Sequence, residues 1–597
     1  MSWRTRALLL AGTGALLAAL PALGQEQPES LLPPGFGDPQ NLPPPEDKAP
    51  PQKARPQLPT APTLAGPETD NQLSGNMMGD VEEITLDQSA LPRPTNYFTI
   101  PEGSARPTDF VGPLGPGNYG LGENAFGARN GRLYQALMGQ LDAPLPSRWT
   151  SILLRRALLS RLAVPPGVNP VDWVAERAAL LLRMGEADAA RMLVEAVDVE
   201  QYTPRMVEVA AQTALATADP AALCPLVGPA RGWSSDPVWI LADGMCAALE
   251  GEAARATALI DQARTATGTS VDLLLAEKVV GAGAETRRAV DIQWDGVGEI
   301  NAWRFGLASA VGVEIPDRLI GSARPEIRAW LARAPMVPVE QRLAAASTAA
   351  ALGVFSSHSL VELHSLVLDE TDPAEVSGSV GARLRTAWVG GDVGARMGAI
   401  RELWREAGDS PQERYARAIL TAGAAARIAP SADLSEDSGD LIAAMLSAGM
   451  DRAAARWAPI VEQAGEGDRA WALLAVGAPR NLVADRLDDF VAADDSAGRR
   501  RSQLLAAALA GLGRINADQA ARAGLRLGED DRWTAAIDDA ARERAPGAVA
   551  LLAGVGMQTA TWRGVPPAYL FRIVRSLRAV GMDYEARMIA AEAVARL

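Results

Sequence analysis

Residues 173–197 read WVAERAALLLRMGEADAARMLVEAV, and the fold turns on how this stretch is interpreted. Two helical segments flank Gly185. In the second, Ala190, Leu193, Val194 and Val197 recur at spacing 0, 3, 4, 7, which places four apolar side chains on one helical face. Asp188, Arg191 and Glu195 lie off that face, and Arg191 and Glu195 form an i,i+4 pair. Glycine supplies positive φ at a helix end and costs roughly 1 kcal/mol inside a helix. The stretch therefore reads as helix, turn, and second helix packed back on the first.

The same phase recurs after three more glycines. Gly251 leads to Ala256, Leu259, Ile260 and Ala263. Gly449 leads to Ala454, Trp457, Ala458 and Val461, and Gly581 to Ala586, Ile589, Ala590 and Ala593. The four glycines are separated by 66, 198 and 132 residues, all multiples of 33, the signature of a helical-hairpin repeat of about 34 residues. The register departs from this near Pro316–Asp317. The turn Gly581-Met582-Asp583-Tyr584-Glu585-Ala586 and the helix after it resemble the second half of a tetratricopeptide (TPR) repeat, with Sel1-like repeats as close kin. The resemblance covers half-repeats at four places; the aromatic and Leu-Gly pair of the family's first helix is not visible. It implies an α-solenoid of antiparallel helical hairpins. The alternative is a generic alanine-rich helical bundle.

Met1–Gly24 has a basic start (Arg4, Arg6) and an apolar run from Ala7 to Leu20. Such a run makes a helix of roughly 21 Å against about 30 Å of bilayer hydrocarbon. Ala22 and Gly24 provide small residues at −3 and −1, so the predicted signal-peptide cleavage falls between Gly24 and Gln25. The alternative is an uncleaved anchor in the inner membrane. Residues 25–125 are expected to form a proline- and glycine-rich disordered or extended linker, because proline lacks an amide donor and fixes φ. Within it, 81–86 and 97–100 are candidate short strands or docking segments. The tract 112–127 is a candidate strap anchored by Tyr97, Phe98, Phe110, Tyr119 and Phe126.

From about Asn130 the pattern is helix after helix, so the expected class is all-α. Alanine favours helix and close axis approach. Pro316, Pro325, Pro335 and Pro338 crowd one region and predict a break between two helical-repeat arms, 126–335 and 336–597. The last helix is expected to dock its apolar face on the preceding hairpin.

Net charge is −15 over 597 residues, with three lysines against 54 arginines. An acidic chain is a poor match for nucleic acid or anionic membrane. The only cysteines, Cys224 and Cys246, fall on successive predicted helices. In an oxidising compartment they form a disulfide or remain two buried thiols. His358 and His364 are six apart, on different helical faces, and lack HExxH spacing. The acidic groups Asp433, Glu436, Asp437, Asp440 and Asp485, Asp488, Asp489 lack EF-hand spacing and read as loops and caps. Arg499-Arg500-Arg501 reads as a solvated helical turn. The tryptophans are spread along the repeats and read as core.

There is no GxxxxGK[ST], no third glycine after Gly554-Val555-Gly556 or Gly281-Ala282-Gly283, and no GxSxG elbow at 378–381. No catalytic, cofactor-binding or metal-ligating set is therefore expected. The leading functional expectation is a non-catalytic periplasmic scaffold or adaptor that binds a protein or peptide on a solenoid surface. The alternatives are a peptidoglycan-associated enzyme or accessory factor resembling the superhelical part of lytic transglycosylases, and a purely structural envelope component.

Overall fold

The computed structural model describes residues 103–284, 290–528 and 530–596. The expected signal peptide with its Gly24/Gln25 cleavage site, the proline tract, and the segments 81–86 and 97–100 lie outside the described residues. Among those residues the chain forms 28 α-helices and one pair of two-residue strands, β1 (Phe110–Val111) and β2 (Leu162–Ala163). The all-α class holds.

The first helices are α1 (Gly131–Gln140), α2 (Arg148–Leu159), α3 (Pro170–Arg183), α4 (Ala187–Val194), α5 (Pro204–Ala216), α6 (Cys224–Arg231), α7 (Val238–Leu249), α8 (Ala253–Thr267), α9 (Val271–Gly283) and α10 (Ala302–Ala310). Next come α11 (Asp317–Ser322), α12 (Pro325–Arg333), α13 (Val339–Leu352), α14 (Ser357–Glu370), α15 (Val380–Val389), α16 (Val393–Arg405), α17 (Pro411–Ala425), α18 (Ser438–Ser447), α19 (Asp451–Ala455) and α20 (Ala458–Ala464). The last are α21 (Arg469–Gly477), α22 (Leu487–Ala493), α23 (Arg500–Gly511), α24 (Ala517–Arg522), α25 (Arg532–Arg542), α26 (Pro546–Gly556), α27 (Pro567–Ala579) and α28 (Asp583–Ala595). Sequence neighbours pair, as in α3 with α4, α7 with α8, α12 with α13, α17 with α18 and α27 with α28.

Gly185 sits at φ +85° between α3 and α4. Its amide donates to Leu182 O at 3.0 Å and the Glu186 amide to Leu181 O at 2.9 Å, the Schellman closure of a helix C-terminus. A Cβ there would lie 2.8 Å from the Ala329 Cβ, so both the dihedral and the space demand glycine. Gly251, Gly449 and Gly581 close their helices in the same way, through Glu252 to Ala247 O, Met450 to Met445 O and Met582 to Leu577 O. The apolar face residues that follow these four turns are all buried except Leu259, which is half buried.

Three of the four crowded prolines start helices, and Pro335 lies in the turn between α12 and α13. Pro325 is the first residue of α12, and Pro316 and Pro338 cap α11 and α13. Proline suits these places because the first amides of a helix have no intrahelical partner. The expected division at 335/336 falls between α12 and α13, which pack directly on each other. Residues 92–597 cluster as one unit.

Helix α2 joins the two ends of this body: it packs against α3, α13, α26 and α28. Its N-terminus is capped twice. Ser147 Oγ accepts from the Thr150 amide at 3.1 Å. Glu592 of α28 accepts from Ser147 Oγ at 2.7 Å, from the Arg148 amide at 2.9 Å and from the Trp149 amide at 3.1 Å. At the other end Arg177 of α3, fully buried, donates to the carbonyls of Leu158 (2.8 Å), Ser160 (2.7 Å) and Val111 (2.9 Å). Anion at the start and cation at the end both complement the α2 dipole. Arg148 and Arg155 tie α2 to the C-terminal end of α13, through Phe355 O at 2.9 Å and Gly353 O at 2.9 Å. The last helix thus docks on much more than the preceding hairpin.

Part of the expected linker is ordered against the body. Phe110 pairs with Ala163 and Val111 with Leu162. Phe126 is buried edge-on to Tyr134 and Trp173, with centroids 5.7 and 5.3 Å away. Tyr119 corrects the expectation: its ring is 85% exposed and anchors nothing, and only its carbonyl meets the body, accepting from Arg156. Val111, Leu121 and Ala125 fill the role that larger rings were expected to play. Most described tryptophans are core, but Trp233 is 45% exposed.

Candidate functional site

A cavity of about 610 Å³ opens where α17, α18, α21, α22 and α28 meet. Each wall follows from local sequence. Ser410 caps α17 by accepting from the Glu413 amide at 3.3 Å, and Pro411 occupies its first position. One turn of α17 then presents Arg414, Tyr415 and Ala418 to the cavity. Asp468 caps α21 by accepting from the Trp471 amide at 2.9 Å, which sets Arg469 at the rim. Phe490 comes from α22, packed at 6.1 Å against Trp471. Asp440 and Ala443 come from α18, Arg501 from α23, and Arg596 from just past α28. Trp404 of α16 closes one side, its indole N–H held by Thr421 Oγ1 at 2.9 Å.

The carboxylates of this cavity are already engaged. Asp494 accepts from the amide and hydroxyl of Ser496 (2.9 and 2.6 Å) and of Ser502 (2.8 and 2.6 Å). Partial burial pushes its carboxyl up, but the serine donors outweigh that and hold it below the usual aspartate range. Asp440 pairs with Arg469, which also donates to Ala595 O at 3.3 Å.

The guanidinium groups are engaged unequally. Arg596 donates to Pro146 O at 2.6 Å and to Glu592 at 3.0 Å, and lies 4.6 Å over the Tyr415 ring. Burial, then the nearby Glu592 charge, raises the Tyr415 phenol well above its ordinary value. Arg414 donates once, to Gly408 O at 3.1 Å. The Arg501 side chain donates once, to the exposed Asp495 at 3.2 Å. A guanidinium has five N–H donors, so the cavity offers spare donors next to an aromatic floor and few spare acceptors.

The residues singled out from sequence lie mostly elsewhere. Cys224 and Cys246 form a disulfide between α6 and α7, Cα atoms 5.5 Å apart. His358 is exposed and 3.2 Å from Glu362. His364 is buried, and desolvation followed by the Arg417 charge lowers its pKa to about 4. Among the described residues no group of three or more His, Cys, Asp or Glu is placed to hold a metal ion. No described helix is long and apolar enough to cross a membrane. Asp437 pairs with Arg401, and Asp485 accepts from Gln519 at 2.6 Å. Arg499 and Arg501 are exposed, Arg501 at the cavity rim, whereas Arg500 is half buried and donates to Arg563 O at 3.1 Å, which corrects the solvated reading of the run at that position. Sequence reasoning missed Arg414, Tyr415, Arg469 and Arg596, whose convergence from three helices carries no local signal.

No protein-family model matches this chain, and no curated protein or solved structure is significantly similar to it.

Proposed function

We propose that this chain is an exported, non-catalytic scaffold of TPR-like helical hairpins, arranged as a solenoid, that binds a protein or peptide partner. The carrying observation is the cavity between hairpins, lined by arginines with spare donors, aromatic rings and carboxylates that each already hold an internal donor. Such a lining suits recognition through hydrogen bonds and ring contacts. The recurrent glycine turns, each followed by a buried apolar face in constant phase, support the hairpin-repeat reading. The basic start and short apolar run of residues 1–24 support export to the periplasm.

The test is site-specific photo-cross-linking in living cells from Ala418 and Ala443, both cavity-lining. A discrete protein or peptide adduct at these positions, absent from a probe at exposed Ala221, supports the reading. Absence of adducts at both positions refutes it. Mass measurement of the mature chain checks export, with Gln25 expected as the first residue.

A further inference from the structure

We propose that this cavity recognises an acidic peptide. Arg414 and Arg501 take its carboxylates, and the half-buried Phe490 and Trp404 rings take an apolar side chain beside them. The inference deepens the peptide-binding reading above and rests on it.

The argument is an inventory of donors and acceptors. Asp494 has both oxygens filled by Ser496 and Ser502. Asp440 is held by Arg469, and Asp468 is committed to the α21 cap. A cationic ligand would find one free oxygen on each of Asp440 and Asp468 and would have to displace the serine donors of Asp494. An anionic one need displace nothing, because Arg414 spends one of five N–H donors on a carbonyl and Arg501 one on a solvent-exposed aspartate. A guanidinium fork matches the two oxygens of a carboxylate and gives a charge-assisted pair. The cavity volume, about 610 Å³, is in the range that buries most of a small ligand.

Charge limits the class of anion. The chain carries a net −15, so its long-range field repels polyanions such as nucleic acid, while a short segment with one or two carboxylates meets a local surplus of arginine. The aromatic floor explains why the ligand should also carry an apolar group. Simple phosphate or succinate would leave the half-buried Phe490 and Trp404 rings uncovered on the cavity side.

The experiment uses the full chain, immobilised, with a soluble random hexapeptide library. Retained peptides are expected to be enriched in Asp and Glu next to an aliphatic or aromatic residue. That enrichment should fall at least tenfold in the double variant R414Q/R501Q and be partly restored in R414K/R501K. Both arginines are exposed, and an unchanged circular dichroism melt confirms that the variants fold. Retention of peptides with no acidic enrichment, or equal retention by R414Q/R501Q, overturns this inference and leaves the peptide-binding reading standing. No retention by the unaltered chain overturns this inference, and the cross-linking from Ala418 and Ala443 then decides the broader binding reading. Succinate that competes with the selected peptides at equal molar concentration identifies a small-carboxylate site and overturns the peptide assignment.

Discussion

A histidine ring shut away from water is held there by staying neutral. His364 lies on the inward side of α14, 8% exposed, and its folded pKa is lowered to about 4 by burial and then by Arg417. In the unfolded chain it titrates near 6.5. Between these values the unfolded form binds a proton that the folded form refuses, so stability rises with pH across this window. The contribution is fully present above about 6.5 and is lost as pH falls, by about 3 kcal/mol when both forms are protonated. Urea titrations should show the unaltered chain losing on the order of 2 kcal/mol more than H364L between pH 7.5 and 4.5. Glu186 and Glu326, raised by burial, act with the opposite sign in both proteins. Parallel pH profiles for the two proteins would show that the ring is not desolvated. Spacing alone put His358 and His364 on different faces; which face meets the core depends on how α13, the preceding helix, and α17, three helices further on, pack against α14. Arg177 makes the same point more strongly. It sits within the stretch that announces the hairpin, yet its role as a cap on α2 is written in no neighbouring residue.

At the scale of helices, what could be read was what is local. Gly185, Gly251, Gly449 and Gly581 announce their turns because few other residues tolerate positive φ. The turns at Ala218 (φ +54°) and Arg544 (φ +55°) have the same closure, Asp219 to Ala214 O and Ala545 to Ala540 O, without glycine. They were therefore invisible to a search for glycine. The proline cluster was visible but ambiguous, since proline both ends and begins helices. The link between α6 and α7 also belongs to this scale. Cys224 and Cys246 close a loop of 22 residues, worth about 3 kcal/mol by loop entropy. Without reductant, alkylation of the unfolded protein should add no mass, and C224S/C246S should melt at lower temperature. A mass increase of two alkyl groups would refute the bond.

In an open row of hairpins each repeat touches only its neighbours, so damage at one end stays at that end. Here the first and last parts of the described body share a helix. Glu592 holds the N-terminus of α2 through three donors, Arg156 pairs with Glu585 at 2.6 Å, and Trp149 meets Tyr584 edge-on at 5.8 Å. Through Arg148 and Arg155 the same helix grips the end of α13, more than 200 positions from α28 in sequence. None of these pairings has a sequence signature, because the partners are hundreds of residues apart. E592L keeps the bulk of the side chain but removes the acceptor from three buried donors and the ion-pair partner of Arg596, at a cost of about 3 kcal/mol. E592Q, which retains one acceptor oxygen, should cost less. The loss should spread: hydrogen exchange in E592L is expected to accelerate in α2 and α13 as well as α28, while the thermal transition moves down as a whole without splitting. Faster exchange confined to α27 and α28 would mean that the contacts across the ends carry no stability, and that the body unfolds hairpin by hairpin.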